Sequence, residues 1–498
     1  MSILYRIQPL SPAPTQIAEA STEDAIDQVG LGVFHGYIYI IVGLFIAADS
    51  VQVGFIAFVA EVLKEEWGCS ESTKAMMECM IFVGLVLGSP TWGWLADRYG
   101  RRPIMLASAL WVCLFGALTA ACNSLEQLMP CQFAVGFGCA GMVVAFDVLE
   151  ELLPSNTRGP VTCSTFYWFS AGSLYSNICA KYVLCSAGWR AYAVACSLPT
   201  LVVTFLGWLL VPESAHWLVA ERRNEEAAQV LSNIANTNGR PLCYGRLIMP
   251  EVLETLATKD LCVRSKLRTP LILMMLIGFC WGLTYFSILL LLPHIFSEKV
   301  ESAERDQLGS TAAMPTALSV RDCYGLTFNF KDIMVCLICQ NIGLTAAVLG
   351  INCIGRVKTQ VWLYLVAAAF VVGLGFPDVD HTVLTVFASV ALASVSGGCS
   401  VTFAHTPELF PTQARVLAMG MCNACARFGA ALAPYIISNL IAPLPTALIV
   451  SAVSLTAAFS ASRVRETMGA RIEDDHHILS GDDESKIDVA ETSFVWSK

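Results

Sequence analysis

Twelve runs of about twenty mostly apolar residues punctuate this 498-residue chain, and a run of that length is what a helix needs to cross a hydrocarbon layer. They fall at 37–60, 76–96, 103–122, 128–150, 161–183 and 190–211, then at 269–292, 332–352, 360–376, 382–404, 415–440 and 443–461. Inside lipid no water is available to satisfy the backbone, so each run is predicted to be a helix. Composition agrees: 55% of residues are hydrophobic and 14% charged, whereas soluble domains are nearer a quarter charged. The predicted fold class is an all-α membrane protein of twelve transmembrane helices in two pseudo-symmetric six-helix bundles.

Loop charge orients the chain. With both termini cytosolic, the inside segments hold 21 Lys and Arg against 8 on the other side, as the positive-inside rule requires. The predicted organisation is a cytosolic N-terminal segment 1–36, a first bundle 37–211, a polar helical cytosolic linker 212–268, a second bundle 269–461 with a non-cytosolic loop at 293–331, and an acidic cytosolic tail 462–498. The first 30 residues lack an apolar h-region, so the first span is expected to act as the targeting signal. A net charge of −10 and scattered basic residues exclude nucleic acid as a partner. Most of the 20 cysteines sit inside apolar runs and read as small core residues. Cys69, Cys185 and Cys323 fall on the non-cytosolic side, where one bridge among them is compatible with topology.

The chain also repeats itself. Glu151-Leu-Leu-Pro154-Ser-Asn-Thr-Arg158 returns as Glu408-Leu-Phe-Pro411-Thr-Gln-Ala-Arg415, each at the cytosolic end of the fourth helix of its half. Asp97-Arg98-Tyr-Gly100-Arg101-Arg102 echoes more faintly as Asn352-Cys-Ile-Gly355-Arg356-Val357. Parallel six-span repeats mark transporters whose halves rock against each other. Gly93 would let a neighbouring helix approach closely. Gly100 suits the left-handed turn after a helix, and Pro103 the first turn of the next. The expected role of Asp97, Arg98, Arg101 and Arg102 is a latch bridging the halves in one conformation. Arg158 and Arg415 each begin a helix, opposing its dipole, so the pairs Glu151–Arg158 and Glu408–Arg415 are expected. Gly136-Phe-Gly138-Cys-Ala-Gly141 matches a dinucleotide fingerprint but lies in an apolar span with no preceding strand; close helix packing explains it.

Charges inside the spans carry the functional reading. Asp49 lies mid-span in the first helix with Gln52 three residues on; Asp147 lies in the fourth helix and Arg427 in the eleventh. Each charge costs roughly 2.5–3.5 kcal/mol at the membrane centre, so a cavity or a partner is expected for it. Trp281 and Tyr285 share a face of the seventh helix, and Trp168 lies in the fifth; packing is the commoner role of such aromatics. No nucleophile–base set, metal cluster or phosphate loop stands out, so neither an enzyme nor a cofactor is indicated.

Along nearly the whole chain these residues resemble the major facilitator superfamily. Gly93–Arg102 is similar to its signature loop between helices two and three. Pro212-Glu213-Ser214-Ala-His-Trp217-Leu218, followed by Glu225-Glu226-Ala227, resembles the segment after helix six in the sugar-porter and organic-ion branch, which Gly188-Trp189-Arg190 also fits. Glu23-Asp24-Ala25-Ile26 ahead of Gly30–Phe34, Ala48-Asp49, Ile234–Gly239, Tyr285 and Ala426-Arg427 with Gly429 resemble the synaptic vesicle two-related (SVOP-like) group. The resemblance implies a central cavity, alternating access and a vesicle or other intracellular membrane. It also implies that Asp49, Trp168 and Tyr285 face the cavity. Gln52 stands where the group has a second acid, and Gln132 where the superfamily has an Arg; these departures and the eroded second loop count against proton coupling. No Asn-x-Ser/Thr occurs, so the 293–331 loop carries no N-glycan.

Two functions fit. One is secondary transport of a small organic solute or organic ion, with Asp49, Gln52, Trp168, Trp281, Tyr285 and Arg427 around the site. The other is a non-transporting vesicle-membrane protein that keeps the fold and binds a trafficking adaptor through its acidic tail, where Asp474-x-x-x-Ile478-Leu479 resembles a sorting signal.

Overall fold

The computed structural model describes residues 19–20, 22–240, 246–247, 265–308, 322–323, 326–376, 379–410, 412–439 and 443–467; the acidic tail beyond Thr467 lies outside them. Ten helical stretches are long and apolar enough to cross a membrane. One of these, Thr157–Leu210, holds two spans, because Gly188 breaks it with φ +86°. A further 28-residue helix at Thr412–Asn439 completes the expected twelve.

In the first half, α1 (Thr22–Val29) precedes the spans α2 (Val33–Trp67), α3 (Glu71–Tyr99), α4 (Arg101–Thr119) and α5 (Leu125–Leu152). The fifth span is α6 (Ser155–Ser164) continued by α7 (Phe166–Cys179), and the sixth is α8 (Cys185–Leu210). Short helices α9 (Ala215–Ala220) and α10 (Asn224–Asn238) begin the linker. The second half comprises α11 (Ser265–Leu308), α12 (Phe330–Cys353), α13 (Arg356–Gly373), α14 (His381–Leu409), α15 (Thr412–Asn439) and α16 (Pro443–Ser462). Two-residue strands pair Glu19–Ala20 with Arg246–Leu247, and Asp322–Cys323 with Leu326–Thr327.

Two boundaries differ from expectation in a way that matters. The first span was expected to end at 60, but α2 continues to Trp67, where Gly68 closes it in the left-handed region at φ +62° and Ser70 opens α3 by accepting the Thr73 N–H. Glu61 and Lys74 therefore lie within spans and not in a loop. Likewise α11 does not stop at 292 but runs through Pro293 to Leu308. At the first boundary the cause is plain: charged residues lower the apolar count, whereas the helix continues because Glu61 and Lys74 pair inside the protein.

The halves repeat each other's packing. Within the first, α2 packs on α7, α3 on α5, and α4 on α8; within the second, α11 packs on α15, α12 on α14, and α13 on α16. Small residues make these contacts close. A Cβ on Gly136 would sit 1.9 Å from the Ile81 carbonyl oxygen, and one on Gly343 would sit 1.8 Å from that of Ala393. Gly138 and Gly141 press likewise against α4, as expected for the false dinucleotide match. Gly93 behaves otherwise: nothing lies within 4 Å of a Cβ built there, so the close helix approach predicted for it is not present. With an even number of spans, both termini lie on one face, called here the termini face.

On that face α1 and the linker helix α10 pack together against the start of α2. Asn238 holds the joint, accepting from Phe34 N at 3.1 Å and donating to the Gly30 carbonyl at 3.2 Å. His35 reaches the Leu152 carbonyl at 3.0 Å. On the opposite face Cys185 is disulfide-bonded, and Cys69 is free. Gly136→Leu is expected to abolish recovery of monodisperse protein, by forcing α3 from α5, whereas Gly93→Ala leaves size-exclusion profile and melting temperature unchanged.

Candidate functional site

Among the polar assemblies that interrupt the apolar packing of the described residues, two concern the predicted site residues: one at the seam between the halves, the other on the termini face.

At the seam, Asp49 of α2 and Arg427 of α15 attract each other across the halves without forming a contact ion pair. Asp49 Oδ1 and Arg427 Nη1 are both buried and lack a hydrogen-bond partner. The Cys139 thiol of α5 also meets the Asp49 carboxylate. Close packing of the scaffold sets this position. α2 is pressed on α7 at Gly172, where a Cβ would lie 2.1 Å from the Ala47 carbonyl oxygen. α15 is held to α11 at Gly282, where a Cβ would lie 2.0 Å from that of Ala426. Each charge thus neighbours a close helix contact in its own half.

Around them the halves touch through α7. Tyr285 of α11 is buried at 4% exposure, packs edge-on to Phe169 with ring centroids 6.0 Å apart, and meets the Ser173 hydroxyl. Its own hydroxyl accepts from Gln340 Nε2 at 3.2 Å. Ser170 donates to the Leu337 carbonyl at 3.1 Å and accepts from Asn341 at 3.0 Å; Tyr167 and Thr345 share a hydrogen bond of 2.8 Å. Trp168 is half-buried over Gly43 and beside Tyr39. Trp281 packs edge-on to Phe403, 6.0 Å between centroids, in a narrow recess shared with Thr402, Thr406, Cys422 and Asn423. That recess is mostly apolar and does not contain Asp49 or Arg427.

Of the six residues the sequence placed around one site, Asp49, Tyr285 and Arg427 lie along the seam, while Trp168 and Trp281 pack within their own halves. So does Gln52. It is 2% exposed and donates to the Cys196 carbonyl of α8 at 3.2 Å. Three residues along a helix leave a net offset of only about 60°, so Gln52 is adjacent to Asp49 on α2 and it is the hydrogen bond to Cys196 that commits its side chain to the first half. Gln132, where an Arg was looked for, is buried and reaches Thr119 at 3.3 Å. Phe169, Gln340 and Phe403 were missed, since nothing in their spacing distinguishes them from packing residues.

On the termini face, the Arg101 guanidinium lies 3.2 Å from Asp97, 3.1 Å from Glu151 and 3.8 Å from Asp147. Glu213, just past α8, accepts the backbone N–H of Arg101 at 2.9 Å and of Arg102 at 3.1 Å. A carboxylate there satisfies orphan donors and complements the dipole of α4. Ser214 donates to Glu151, and Trp217 to the Asp97 carbonyl at 2.8 Å. The second half repeats the design. Arg356 grips Glu408 with two bonds of 3.0 Å, Glu466 accepts from the N–H groups of Arg356 and Val357 at 2.9 and 3.0 Å, and Thr467 donates to Glu408 at 2.5 Å. Gly100 and Gly355 precede the two caps at φ +105° and +95°; a Cβ on either would lie 2.6 Å from the capping carboxylate.

These contacts bear on two expectations. In this arrangement the ion pairs of Arg101 and Arg356 stay within one half each and brace helix ends; the latch is an expectation for one conformation only. Arg158 donates to the Leu153 carbonyl at 3.3 Å and leaves Glu151 to Arg101, the shorter reach. Glu408 is likewise taken by Arg356 and Thr467; the Arg415 side chain lies outside the described residues. Arg98 stacks near Trp94 and Tyr99 at 5.5 and 5.8 Å, and Arg102 donates to the Trp208 carbonyl. The second cap was legible but missed: Val211-Pro-Glu213-Ser214 returns as Val464-Arg-Glu466-Thr467.

The sequence profile of the family described as "Sugar (and other) transporter" matches residues 27–318. The chain belongs to this transporter family. It is 28% identical over 414 residues to the synaptic vesicle 2-related protein of Xenopus laevis, covering 83% of this chain and 74% of that one. With svop-1 of Caenorhabditis elegans it shares 28% identity over 92% of its own length and 87% of the relative's, and with SVOPL of Mus musculus 29% over 87% and 89%. Among solved structures it superposes on the xylose transporter XylE from E. coli, inward open, with a TM-score of 0.64 at 17% identity, over 88% of this chain and 98% of that chain. In its partially occluded inward-open form XylE gives 0.65 at 16% identity. These matches establish the twelve-helix major facilitator fold.

Glu213→Ala and Glu466→Ala are each expected to cost about 1 kcal/mol. Being in separate halves they should add, so the double variant should melt lower by the sum of the single shifts in scanning fluorimetry.

Proposed function

We propose that this protein is a secondary transporter of a small organic solute that carries charge, working by alternating access around the Asp49–Arg427 seam. One observation carries the reading. Two opposite charges, one from each pseudo-symmetric half, each keep a buried polar atom without a partner at the same level of the bundle. An unpaired buried polar atom costs about 1–3 kcal/mol, and a solute that donates to Asp49 and accepts from Arg427 would recover that cost while joining the halves. Trp168 and Tyr285 would border such a solute, and rocking of the halves would expose it to either face in turn.

The excess of Lys and Arg supports a cytosolic termini face. The names of the relatives, synaptic vesicle 2-related proteins, support a vesicle membrane. Whether the cargo resembles the xylose that XylE carries is a matter of pocket chemistry and does not follow from the shared fold.

A thermal-shift panel of organic cations, anions, zwitterions, sugars and nucleotides tests the reading, because a ligand of the folded state raises apparent stability by mass action. A charged solute is expected to stabilise the protein. That shift should disappear in Asp49→Asn and in Arg427→Gln, and proteoliposome uptake of the solute should fall with it. Gln52→Ala should lower the basal melting temperature and keep the ligand shift. A hit that survives both charge substitutions would remove the seam from the mechanism.

A further inference from the structure

On the face opposite the termini, the turn that joins the third span to the fourth holds two thiols in contact. Cys122 lies in the turn itself, just past the end of α4 at Thr119, and Cys131 lies in the second turn of α5. Cys122 Sγ donates to Cys131 Sγ at 3.7 Å. Their surroundings differ. Cys122 is 4% exposed and its thiol also reaches the Leu118 carbonyl at 3.7 Å. Cys131 is partly exposed.

The backbone around the pair is pinned from several sides. Arg190 of α8 donates to the Cys122 carbonyl at 3.2 Å and to Asn123 Oδ1 at 3.0 Å, and its guanidinium lies 4.3 Å from the centre of the Trp189 ring. Gln127 Oε1 accepts the Asn123 N–H at 3.0 Å. Gln132, the neighbour of Cys131, donates to Thr119 at 3.3 Å. The sulfurs are thus kept together by bonds that other groups make. Small apolar side chains would fill the same space; two thiols in contact add the capacity to become one covalent link. A disulfide needs a sulfur separation of roughly 2.05 Å, and the remaining approach is shorter than the arc a sulfur sweeps between staggered rotamers. The medium on this face permits the bond. Cys185 lies on the same face and is disulfide-bonded, and disulfides persist where the surroundings are oxidising.

We propose that Cys122 and Cys131 form a dithiol–disulfide site that exchanges with low-molecular-weight disulfides on the face opposite the termini. The exchange has two steps. The Cys131 sulfur, the exposed one, attacks a disulfide such as glutathione disulfide. A mixed disulfide forms on Cys131, and one glutathione leaves as a thiol with the proton that Cys131 gave up. The Cys122 sulfur, already in contact, then attacks the Cys131 sulfur and acts as the resolving thiol. The second glutathione leaves with the Cys122 proton. Two protein thiols are oxidised to one disulfide, and one glutathione disulfide is reduced to two thiols. The product closes residues 122–131 into a covalent loop. Both cysteines belong to the first half, so the link braces that half and leaves its movement against the second half free. The proposal does not involve Asp49, Arg427 or the solute.

The test titrates the full-length protein. It is equilibrated with reduced and oxidised glutathione at a series of ratios, quenched with N-ethylmaleimide under denaturing conditions, and cut after Glu126, which parts Cys122 from Cys131. Peptide mass spectrometry is expected to show both thiols lost together as the oxidised fraction rises, with the two peptides linked, and their release by dithiothreitol. Cys122→Ser should stop with glutathione on Cys131, because nothing resolves the mixed disulfide. Cys131→Ser should leave Cys122 free of glutathione. The linked wild-type protein should melt higher than the reduced one, as a cross-link constrains the unfolded chain, and Cys122→Ser should lose that shift. Peptides that stay separate at every ratio would overturn the proposal and leave the two thiols as packing residues. Glutathione taken up by Cys122 in Cys131→Ser would overturn the order of attack.

Discussion

Hydrocarbon supplies neither hydrogen bonds nor counter-ions, and among the described residues charged side chains at the spans find partners inside the protein. Arg101 is surrounded by three acids, Lys74 is shared by two, and Arg356 is held by both oxygens of Glu408. The seam differs in kind. Arg101 and Arg356 each make contact ion pairs within their own half, whereas Asp49 and Arg427 are opposite charges from the two halves that attract each other without touching and each leave a buried polar atom unmatched.

The other organising constraint is backbone proximity. Helices in lipid gain no hydrophobic reward for meeting, so van der Waals contact between small residues must hold them. Gly84 and Gly136 join α3 and α5, and Gly343 joins α12 and α14 at the matching position of the second half. Each half is therefore a rigid body locked by contacts that tolerate no added methyl group. The seam between halves is made of side chains: Tyr285 on Phe169, Ser170 on Leu337, Tyr167 on Thr345. Interlocked backbones within the halves and exchangeable side-chain contacts between them are what a rocking mechanism requires.

Much of this was legible in the sequence. Span number, the two-half organisation and the duplicated termini-face motif follow from hydropathy and repetition, which depend on residue type alone. What escaped depends on partners. Glu61 and Lys74 looked like loop residues because each, taken singly, argues against lipid; together they are an ion pair inside it. Gln52 looked like a site partner of Asp49 because the two are adjacent on α2, yet its hydrogen bond to Cys196 commits its side chain to the first half. Arg158 looked like the natural mate of Glu151, but the turn of the chain brings Arg101 closer. Pairing is a property of the packed bundle, and a linear pattern does not encode it.

The paired caps have a consequence for where each repeating unit ends. Hydropathy draws its border at the last apolar residue of the sixth or twelfth span. Glu213 and Ser214, and again Glu466 and Thr467, lie just past that border and fasten the start of the third or ninth span and the end of the fourth or tenth. The duplicated module is thus six helices plus a short clasp reaching back to its own middle. Two fragments expressed separately would each need to keep that clasp, and a division drawn at the membrane boundary would leave both modules unfastened.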